Sequence, residues 1–492
     1  MAEFCWRAEL AARDSREPLL VEAGRTWHAG ELLYELVARH DHFAGGRVVG
    51  VLADNGAAWV IADLACQDAG VVHLPLPGFF SAAQLRHALE QAGADSVLTD
   101  DPERISALDL GFGIAGHWQG LAWMRRLTTP AVLPPGTAKI SFTSGSSGAP
   151  KGVCLGTSGL LDTARALRDR LADLPLGAHL AVLPLPLLLE NVAGVYAPLL
   201  RGIPVHLPAL ASVGWRGMAG FDPGELDAAV RVAQPGSLML VPELLKAWTL
   251  YLAHSGSRPP EALRFVAVGG ARVAPELLRH ARAAGIPAYQ GYGLTEGGSV
   301  LALNRPGDDG DGVGRPLAHA QLAIDPAGEL RARTRAFLGY VGAADCAPGE
   351  FPTGDLAAFD ARGHLHLAGR RSNLLISSFG RNVSPEWIEA ALLADPRILQ
   401  AILVGDGEAA LGAILVPRPG IGPSAIQAAV TRVNATLPGY AQIAHWLASE
   451  PFTAANGLAT GNGRPRRRQI IEHHAAAIAA LYTPGVLQDV VL

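Results

Sequence analysis

Between Ser141 and Val153 the chain reads SFTSGSSGAPKGV, a run of hydroxyl and glycine residues closed by Lys151, one of only three lysines in 492 residues. Such a loop can aim several backbone N–H groups and hydroxyls at one anion, with Lys151 as a positive point charge. It is not a Walker loop, because no Ser or Thr follows the lysine. A flexible linker has a similar composition, but the strand-like Ala138 to Thr143 before it and GVCLG after it are unlike a linker. Two further glycine clusters, Gly269-Gly270-Ala271 and Gly291-Tyr292-Gly293-Leu294-Thr295-Glu296, each end a strand-like run, LRFVAVGG and IPAYQGYG. In open parallel sheets ligands bind beyond the carboxyl ends of the strands. There the glycines would admit a flat base, Tyr292 could stack on it, and Thr295 could donate to a phosphate oxygen. Glu296 offers the hard oxygen ligand that Mg²⁺ prefers, although read alone it is also an ordinary helix-start carboxylate. Further on, Asp355 follows a tight Thr-Gly turn and is suited to accept both hydroxyls of a ribose.

These residues need elements to position them. From residue 25 to 100 helix-like and short apolar runs alternate: RTWHAGELLYELVARHDHFA as a helix, RVVGVLA, the helix around AAWVIADLACQDAG, VVHLPLP, the helix SAAQLRHALEQAG, and SVLTD. That order predicts βαβ units and a parallel sheet covered on both faces. Residues 101–137 read as irregular. The helix ARVAPELLRHARAAG joins the two strands that carry the glycine clusters, and the Asp-Ala-Arg-Gly turn between AAF and HLHLAGR predicts a β-hairpin. Residues 373–492 read as a small α/β domain with helices WIEAALLADPRI, SAIQAAVTRVNATL and RRQIIEHHAAAIAALY around strands LQAILVGDG and LGAILVPRP. The fold class is α/β: a large N-terminal domain of parallel-sheet subdomains and a small C-terminal α/β domain, which the resemblance described below implies is mobile.

Composition bounds the function. With 49% hydrophobic residues and 57 glycines the chain can bury large cores and should form at least two domains. A formal charge of −5 gives no global attraction to nucleic acid or to anionic membrane. The N-terminus lacks the basic-then-apolar order of a signal peptide, and no window of about 18 uninterrupted apolar residues occurs. The expectation is a cytoplasmic protein without stable membrane insertion. Cys5, Cys66, Cys154 and Cys346 are too scattered for a zinc cage and read as reduced thiols.

TSGSSGAPKGV closely resembles the phosphate loop of the adenylate-forming superfamily, which includes acyl-CoA synthetases, luciferases and carrier-protein adenylation domains. QGYGLTEGG is similar to the adenine and magnesium motif of that superfamily, and the TGD and GR pairs also match. The resemblance implies ATP around Thr143, Ser144, Gly145, Ser146, Ser147, Gly148 and Lys151. It adds Gly270, Ala271, Gln290, Gly291, Tyr292, Gly293, Leu294 and Thr295, with Asp355 and Arg370 on the ribose and Glu296 on Mg²⁺. It puts the hinge at Arg371 and Ser372, so that residues 1–370 form the adenylation domain and 371–492 the small lid domain. The acyl pocket would include Leu187, Gly269 and Gly270; a buried core helix accounts equally well for the leucines of 185–189. Gly380 is a candidate for a thiol tunnel. GRNVSPEWIE favours the fatty acyl-like branch.

The implied reaction joins a carboxylic acid to ATP and then to a thiol, coenzyme A or the phosphopantetheine of an acyl carrier protein. One departure matters. Where the family carries a C-terminal lysine for adenylation, this chain has Arg464, and all three lysines precede residue 371. The catalytic set is therefore Lys151, Thr295, Glu296 and Arg464. Arginine keeps the charge but is a planar fork rather than a point, so two readings stay open: an active ligase, or an adenylate-binding protein with impaired adenylation. Arg466 to Arg468 could meet phosphates or simply begin a solvated helix. The apolar 181–200 region suggests a medium or long acyl chain or an aryl acid.

Overall fold

The computed structural model describes residues 5–44, 46–143, 151–216, 220–344, 349–376, 382–408, 410–461 and 463–482. The chain divides into two compact units. One comprises Met1–Gly270, Ala284–Leu322 and Ala332–Phe351; the other comprises Ala271–Ala283, Ala323–Arg331 and Pro352–Leu492. Among the described residues no helix is long and apolar enough to cross a membrane.

The first unit is built on two large sheets. In one, Val48–Leu52 lies between Val72–Pro75 and Ser96–Thr99, all parallel, and Lys139–Thr143 joins Val72–Pro75 in the same sense. The central strand Val48–Leu52 is apolar and buried along its whole length because helices such as Ala57–Asp68 cover the sheet. The other sheet carries a parallel run His179–Leu180, Ser237–Leu240, Phe265–Val268 and Ala288–Leu294. Both sheets end in antiparallel strands at their margins, so the parallel expectation holds for the centres.

Two readings need correction. Arg25–His28 is not the start of a helix but a strand paired antiparallel with Pro18–Glu22, and the helix begins at Ala29. Within the segment read as irregular, Pro102–Ser106 is a helix, and Gly113–Trp118 and Leu121–Arg125 form a hairpin on the sheet edge. Both hairpins share a cause. Their two-residue turns, Ala23-Gly24 and Gln119-Gly120, have positive φ at both positions (42° and 83°, 48° and 81°). That is the conformation hairpin twist favours, reached here without the Asn or Asp that usually signals it.

Beneath the strand that opens the phosphate-type loop lies a fully buried polar cluster. The Lys139 ammonium donates to both Asp63 carboxylate oxygens, at 2.9 and 3.0 Å, and to Asn191 Oδ1 and the Tyr196 hydroxyl. Asp63 also accepts from the Tyr196 hydroxyl at 2.6 Å and Asn191 Nδ2 at 2.8 Å, and His73 Nδ1 lies 2.7 Å from it. Burial opposes ionisation of Asp63, but Lys139, His73 and Tyr196 outweigh it and hold the carboxyl far below the usual range. Burial likewise pushes the His73 and Lys139 pKa values down. Asn191 and Tyr196 stand on Leu189–Tyr196, a π-helical stretch in the region read as a core helix.

In the second unit, Ile398–Val404, Leu411–Pro417 and Ile443–Ala448 form a three-stranded sheet packed on Pro385–Leu393 and Pro423–Asn434. Its core is Ile388, Leu392, Leu403, Leu415 and Val430. The last helix expected from sequence divides at His474 into Arg467–His473 and Ala475–Leu481.

Removing one partner of the buried pair leaves the other charge stranded, so Lys139→Met should cost about 3–5 kcal/mol of stability. The double variant Asp63→Leu/Lys139→Met should regain most of that loss in urea unfolding. Acid acts on the same groups. Burial pulls the His73 pKa down, and His319, half-buried with neither ring nitrogen hydrogen-bonded, has its pKa pulled down to about 4. Both would take up a proton on unfolding once pH falls below about 6.5, and Asp63 adds its loss below about pH 4. The urea midpoint should therefore fall steadily from pH 7 to pH 4.

Candidate functional site

The stretch with the strongest chemical signal is flanked by two paired strands. Lys139–Thr143 pairs antiparallel with Lys151–Leu155, so Thr143 and Lys151 face each other across its mouth. Ser144, Gly145, Ser146, Ser147 and Gly148 lie outside the described residues. Lys151 is exposed, as a residue that meets a ligand must be. Phe337–Tyr340 pairs with the other side of Lys151–Leu155 and places the Tyr340 ring 5.7 Å from the Lys151 ammonium. The distance is within cation–π range.

Tyr340 also reaches the second motif. Its hydroxyl donates to Glu296 Oε1 at 3.0 Å, so one aromatic side chain bridges the predicted phosphate cation and the predicted metal ligand. Glu296 and Thr295 are half-buried and sit in the tight turn between Ala288–Leu294 and Ser299–Leu303. Glu296 is therefore a turn residue, which removes the helix-start reading. Among the described residues no group of three or more His, Cys, Asp or Glu could hold a metal unaided. A Mg²⁺ that keeps phosphate and water ligands and takes one or two carboxylates fits this donor set.

The backbone of the second motif differs from expectation in one respect. Gln290 is the last residue in the parallel sheet, and from Gly291 to Leu294 the strand continues, now paired antiparallel with Ser299–Leu303. The register slips between Tyr292 and Gly293. Close approach explains the glycine: a Cβ on Gly293 would lie 1.8 Å from the Ser299 carbonyl oxygen. Ser299 itself has φ 102°, a strained value for a non-glycine residue, and its buried hydroxyl has no hydrogen-bond partner.

Gly269 ends its strand with its N–H donating to the Leu240 carbonyl at 3.2 Å, and Gly270 follows at φ 83°. A Cβ at Gly269 would sit 3.7 Å from the Gly291 carbonyl oxygen and 3.8 Å from Leu189 Cδ2. Leu189, which begins the π-helix, thus faces the glycine pair, and Leu187 stands half-buried two residues earlier. The π-helix is anchored by Glu190, which accepts from Leu183 N at 2.9 Å and pairs with His179 at 2.8 Å. Gly194 leaves room for that pair, since its Cβ would lie 2.0 Å from Glu190 Oε1.

In the second unit Asp355 does not follow a turn, as the sequence suggested, but lies inside the strand Phe351–Phe359, where Gly354 takes φ 77° without ending the pairing; it is the register partner of Arg370 in the expected hairpin with Leu365–Arg370. Arg370 Nε lies 2.7 Å from the buried Asp355 carboxylate. Ala271 is exposed ahead of the helix Pro275–Ala283. Arg371 and Ser372 are exposed in a short 3₁₀ turn, Arg371–Asn373. Arg464 is exposed at a turn in which Thr460 N donates to the Arg464 carbonyl at 2.8 Å and Arg464 N donates to Thr460 Oγ1 at 3.0 Å. Gly380 lies outside the described residues. The neighbouring arginines are structural: Arg467 donates to the Leu403 carbonyl at 2.9 Å and pairs with the buried Glu389, and Arg468 pairs with Glu472 at 2.8 Å. Sequence reading missed Tyr340 and Lys139, since a lone aromatic and a strand lysine carry no spacing signal.

A lysine facing Thr143 across paired strands and a carboxylate held in the turn after the next motif, both in the first unit, have the residue types of an anion-binding class of site. Comparison with known proteins names it. The family described as AMP-binding enzyme matches residues 39–336, and the AMP-binding enzyme C-terminal domain matches 372–485. The chain belongs to this AMP-binding, adenylate-forming family. A long-chain-fatty-acid–CoA ligase of Mycobacterium bovis is 30% identical over 246 residues, covering 44% of this chain and 41% of the relative. The match thus spans less than half of that relative's length. A 2-succinylbenzoate–CoA ligase of Bacillus cytotoxicus is 27% identical over 397 residues, covering 75% of this chain and 78% of the relative. The O-succinylbenzoate coenzyme A synthetase of Bacillus subtilis in complex with AMP superposes with a TM-score of 0.74 at 21% identity, covering 94% of this chain and 97% of that one. It shares the fold.

Gly293→Ala should force the Thr295–Glu296 turn open. It should lower stability by about 1–3 kcal/mol in denaturant unfolding, as overpacking does. Gly177→Ala, at an exposed position without positive φ where nothing lies within 4 Å of the added methyl, provides the control for a glycine-to-alanine change without a clash.

Proposed function

We propose that the chain is an AMP-forming acid–thiol ligase that activates a carboxylic acid with ATP and passes the acyl group to coenzyme A. The observation that carries the reading is the Lys151–Tyr340–Glu296 arrangement at the mouth of the 143–151 hairpin, in a chain of the AMP-binding family. Thr143 to Gly148 and Lys151 hold the β and γ phosphates. Gly270, Ala271 and Gln290 to Leu294 face the base, Thr295 donates to a phosphate oxygen, and Asp355, steadied by Arg370, accepts the ribose hydroxyls. Glu296 supplies the carboxylate for Mg²⁺, which when bound neutralises phosphate charge.

In the first step a carboxylate oxygen attacks the α-phosphorus, the bond from that phosphorus to the bridging oxygen breaks, and pyrophosphate leaves with the electron pair. Two anions meet there, and Lys151 and Arg464 offset the charge. In the second step the thiol sulfur attacks the acyl carbonyl and gives up its proton, and AMP leaves. No enzyme nucleophile is needed. The proposed division is 1–370 and 371–492, with Arg371 and Ser372 as hinge and Gly380 beside the thiol path. Leu189 opposite Gly269, with Leu187 nearby, supports an apolar acyl pocket, and the fatty-acid and succinylbenzoate relatives support an acyl or aryl acid. An acyl carrier protein is the alternative acceptor.

Acid-dependent exchange of labelled pyrophosphate into ATP, across a panel of fatty and aryl acids, tests the first step. The wild type should exchange, Arg464→Lys should stay within about tenfold of it, and Arg464→Ala should lose about 100-fold. No exchange with any acid in the wild type, restored in Arg464→Lys, would overturn the catalytic reading and leave an adenylate-binding protein. Mass spectrometry with coenzyme A and carrier protein offered together decides the acceptor.

Tyr340→Phe keeps the ring near Lys151 and removes only the hydroxyl on Glu296. It should raise the Mg²⁺ concentration for half-maximal ATP binding about three- to tenfold, read by calorimetry, with metal-free ATP binding unchanged.

A further inference from the structure

The nearly buried Glu329 serves two features at once. It is 6% exposed and begins the strand Glu329–Arg333. Its Oε1 accepts the Gly354 N–H at 3.0 Å, within the strand Phe351–Phe359 that carries Asp355. Its Oε2 accepts from Arg371 Nη1 at 2.9 Å. This stretch of strand is otherwise held by Thr353, whose hydroxyl donates to the Leu330 carbonyl at 2.8 Å and accepts from Asp355 N at 3.1 Å. Gly354 sits at φ 77° inside the strand, a glycine conformation that one carboxylate oxygen steadies. Glu329 is itself fixed, because its own N–H donates to Asp325 Oδ1 at 2.9 Å.

The far end of the same short segment is also tied to a carboxylate. Asn373 Nδ2 donates to Glu386 Oε1 at 2.6 Å, and Ser384 Oγ donates to Glu386 Oε2 at 3.0 Å. Between these two anchors the Ser372 hydroxyl donates to its neighbour Asn373 at 3.2 Å. Arg371 to Asn373 is thus held at both ends. The first anchor shares its carboxylate with the strand that presents Asp355.

We infer that Glu329 is a positioning residue whose single carboxylate couples the strand around Gly354, which carries Asp355, to the segment Arg371–Asn373, so that a ligand at Asp355 is felt by that segment. The inference rests on the proposed function for its kinetic consequence, but not for its structural one. A carboxylate moved by a ribose bound at Asp355 changes the Arg371 contact. Release of Arg371 in turn loosens the Gly354 N–H bond. Chemistry at the two steps then answers differently to the strap. The adenylate-forming step needs only Asp355 held in place, whereas the thioester-forming step also needs the segment to change conformation.

The test uses the full chain with Glu329→Gln, which keeps an acceptor for Gly354 N–H and removes the charge, Arg371→Met, and the double variant. Amide hydrogen exchange of the peptides covering 352–356 and 370–374 is read without nucleotide and with Mg·ATP. Each single variant should exchange about two- to fivefold faster in the 370–374 peptide, the range of one partly exposed ion pair, and the double variant no faster than the singles. Arg371→Met should also speed exchange in 352–356, through the Glu329 carboxylate that the two stretches share. Pyrophosphate exchange should stay within about twofold of wild type while the thioester-forming rate changes by about threefold or more. Wild-type exchange in both peptides, additive effects in the double variant, or equal changes in both half-reactions would overturn the coupling. If the wild type neither binds ATP nor exchanges pyrophosphate, the functional reading fails, and the nucleotide-free exchange data still decide the strap.

Discussion

The buried Asp63–Lys139 pair is the constraint on which the first unit depends. Two charges out of water are tolerable only when every lone pair and proton is met, and here Asn191, Tyr196 and His73 gather around one carboxylate and one ammonium. The consequence is mechanical. Lys139 starts the strand that ends at Thr143, Asp63 belongs to a helix on that sheet, and Asn191 and Tyr196 belong to the π-helix that presents Leu189. The base of the phosphate-type hairpin and the apolar face opposite Gly269 are therefore fixed by the same cluster.

Above that base, the site is assembled by backbone proximity more than by side-chain variety. The hairpin 139–155 is flanked by Phe337–Tyr340, which brings Tyr340 between Lys151 and Glu296. Gly293 lets two strands close around the Thr295–Glu296 turn, and Ser299 carries the resulting strain. Strain stored beside a half-buried carboxylate suits a group that must hold its geometry when a polyanion arrives. The Asp355–Arg370 pair works on the same plan: one buried acid, one exposed base, matched across a hairpin register.

The arginine skew of the chain has two faces. Arg467 and Arg468 look like phosphate binders in sequence, yet each already meets a protein carboxylate. Arg464 is exposed on its turn. Under the proposed function its planar guanidinium would have to meet the charge that the resemblance assigns to a lysine ammonium.

The motifs that name the family were legible in the residues alone because they are local. A Ser/Gly loop ending in lysine, GYGLTE, TGD and GR each occupy a few consecutive positions whose chemistry depends on residue type and order. The βαβ periodicity was legible for the same reason, since helices and buried strands repeat on their own periods. What only the tertiary structure decided involves partners distant in sequence. Lys139 and Asp63 stand 76 residues apart, Tyr340 and Glu296 44 apart, and Glu329 and Arg371 42 apart. The two missed hairpins turn on Ala-Gly and Gln-Gly, where positive φ is imposed by pairing and not advertised by the residue. Residue type determines what a side chain can do, but its partner is set by the packing of the whole chain.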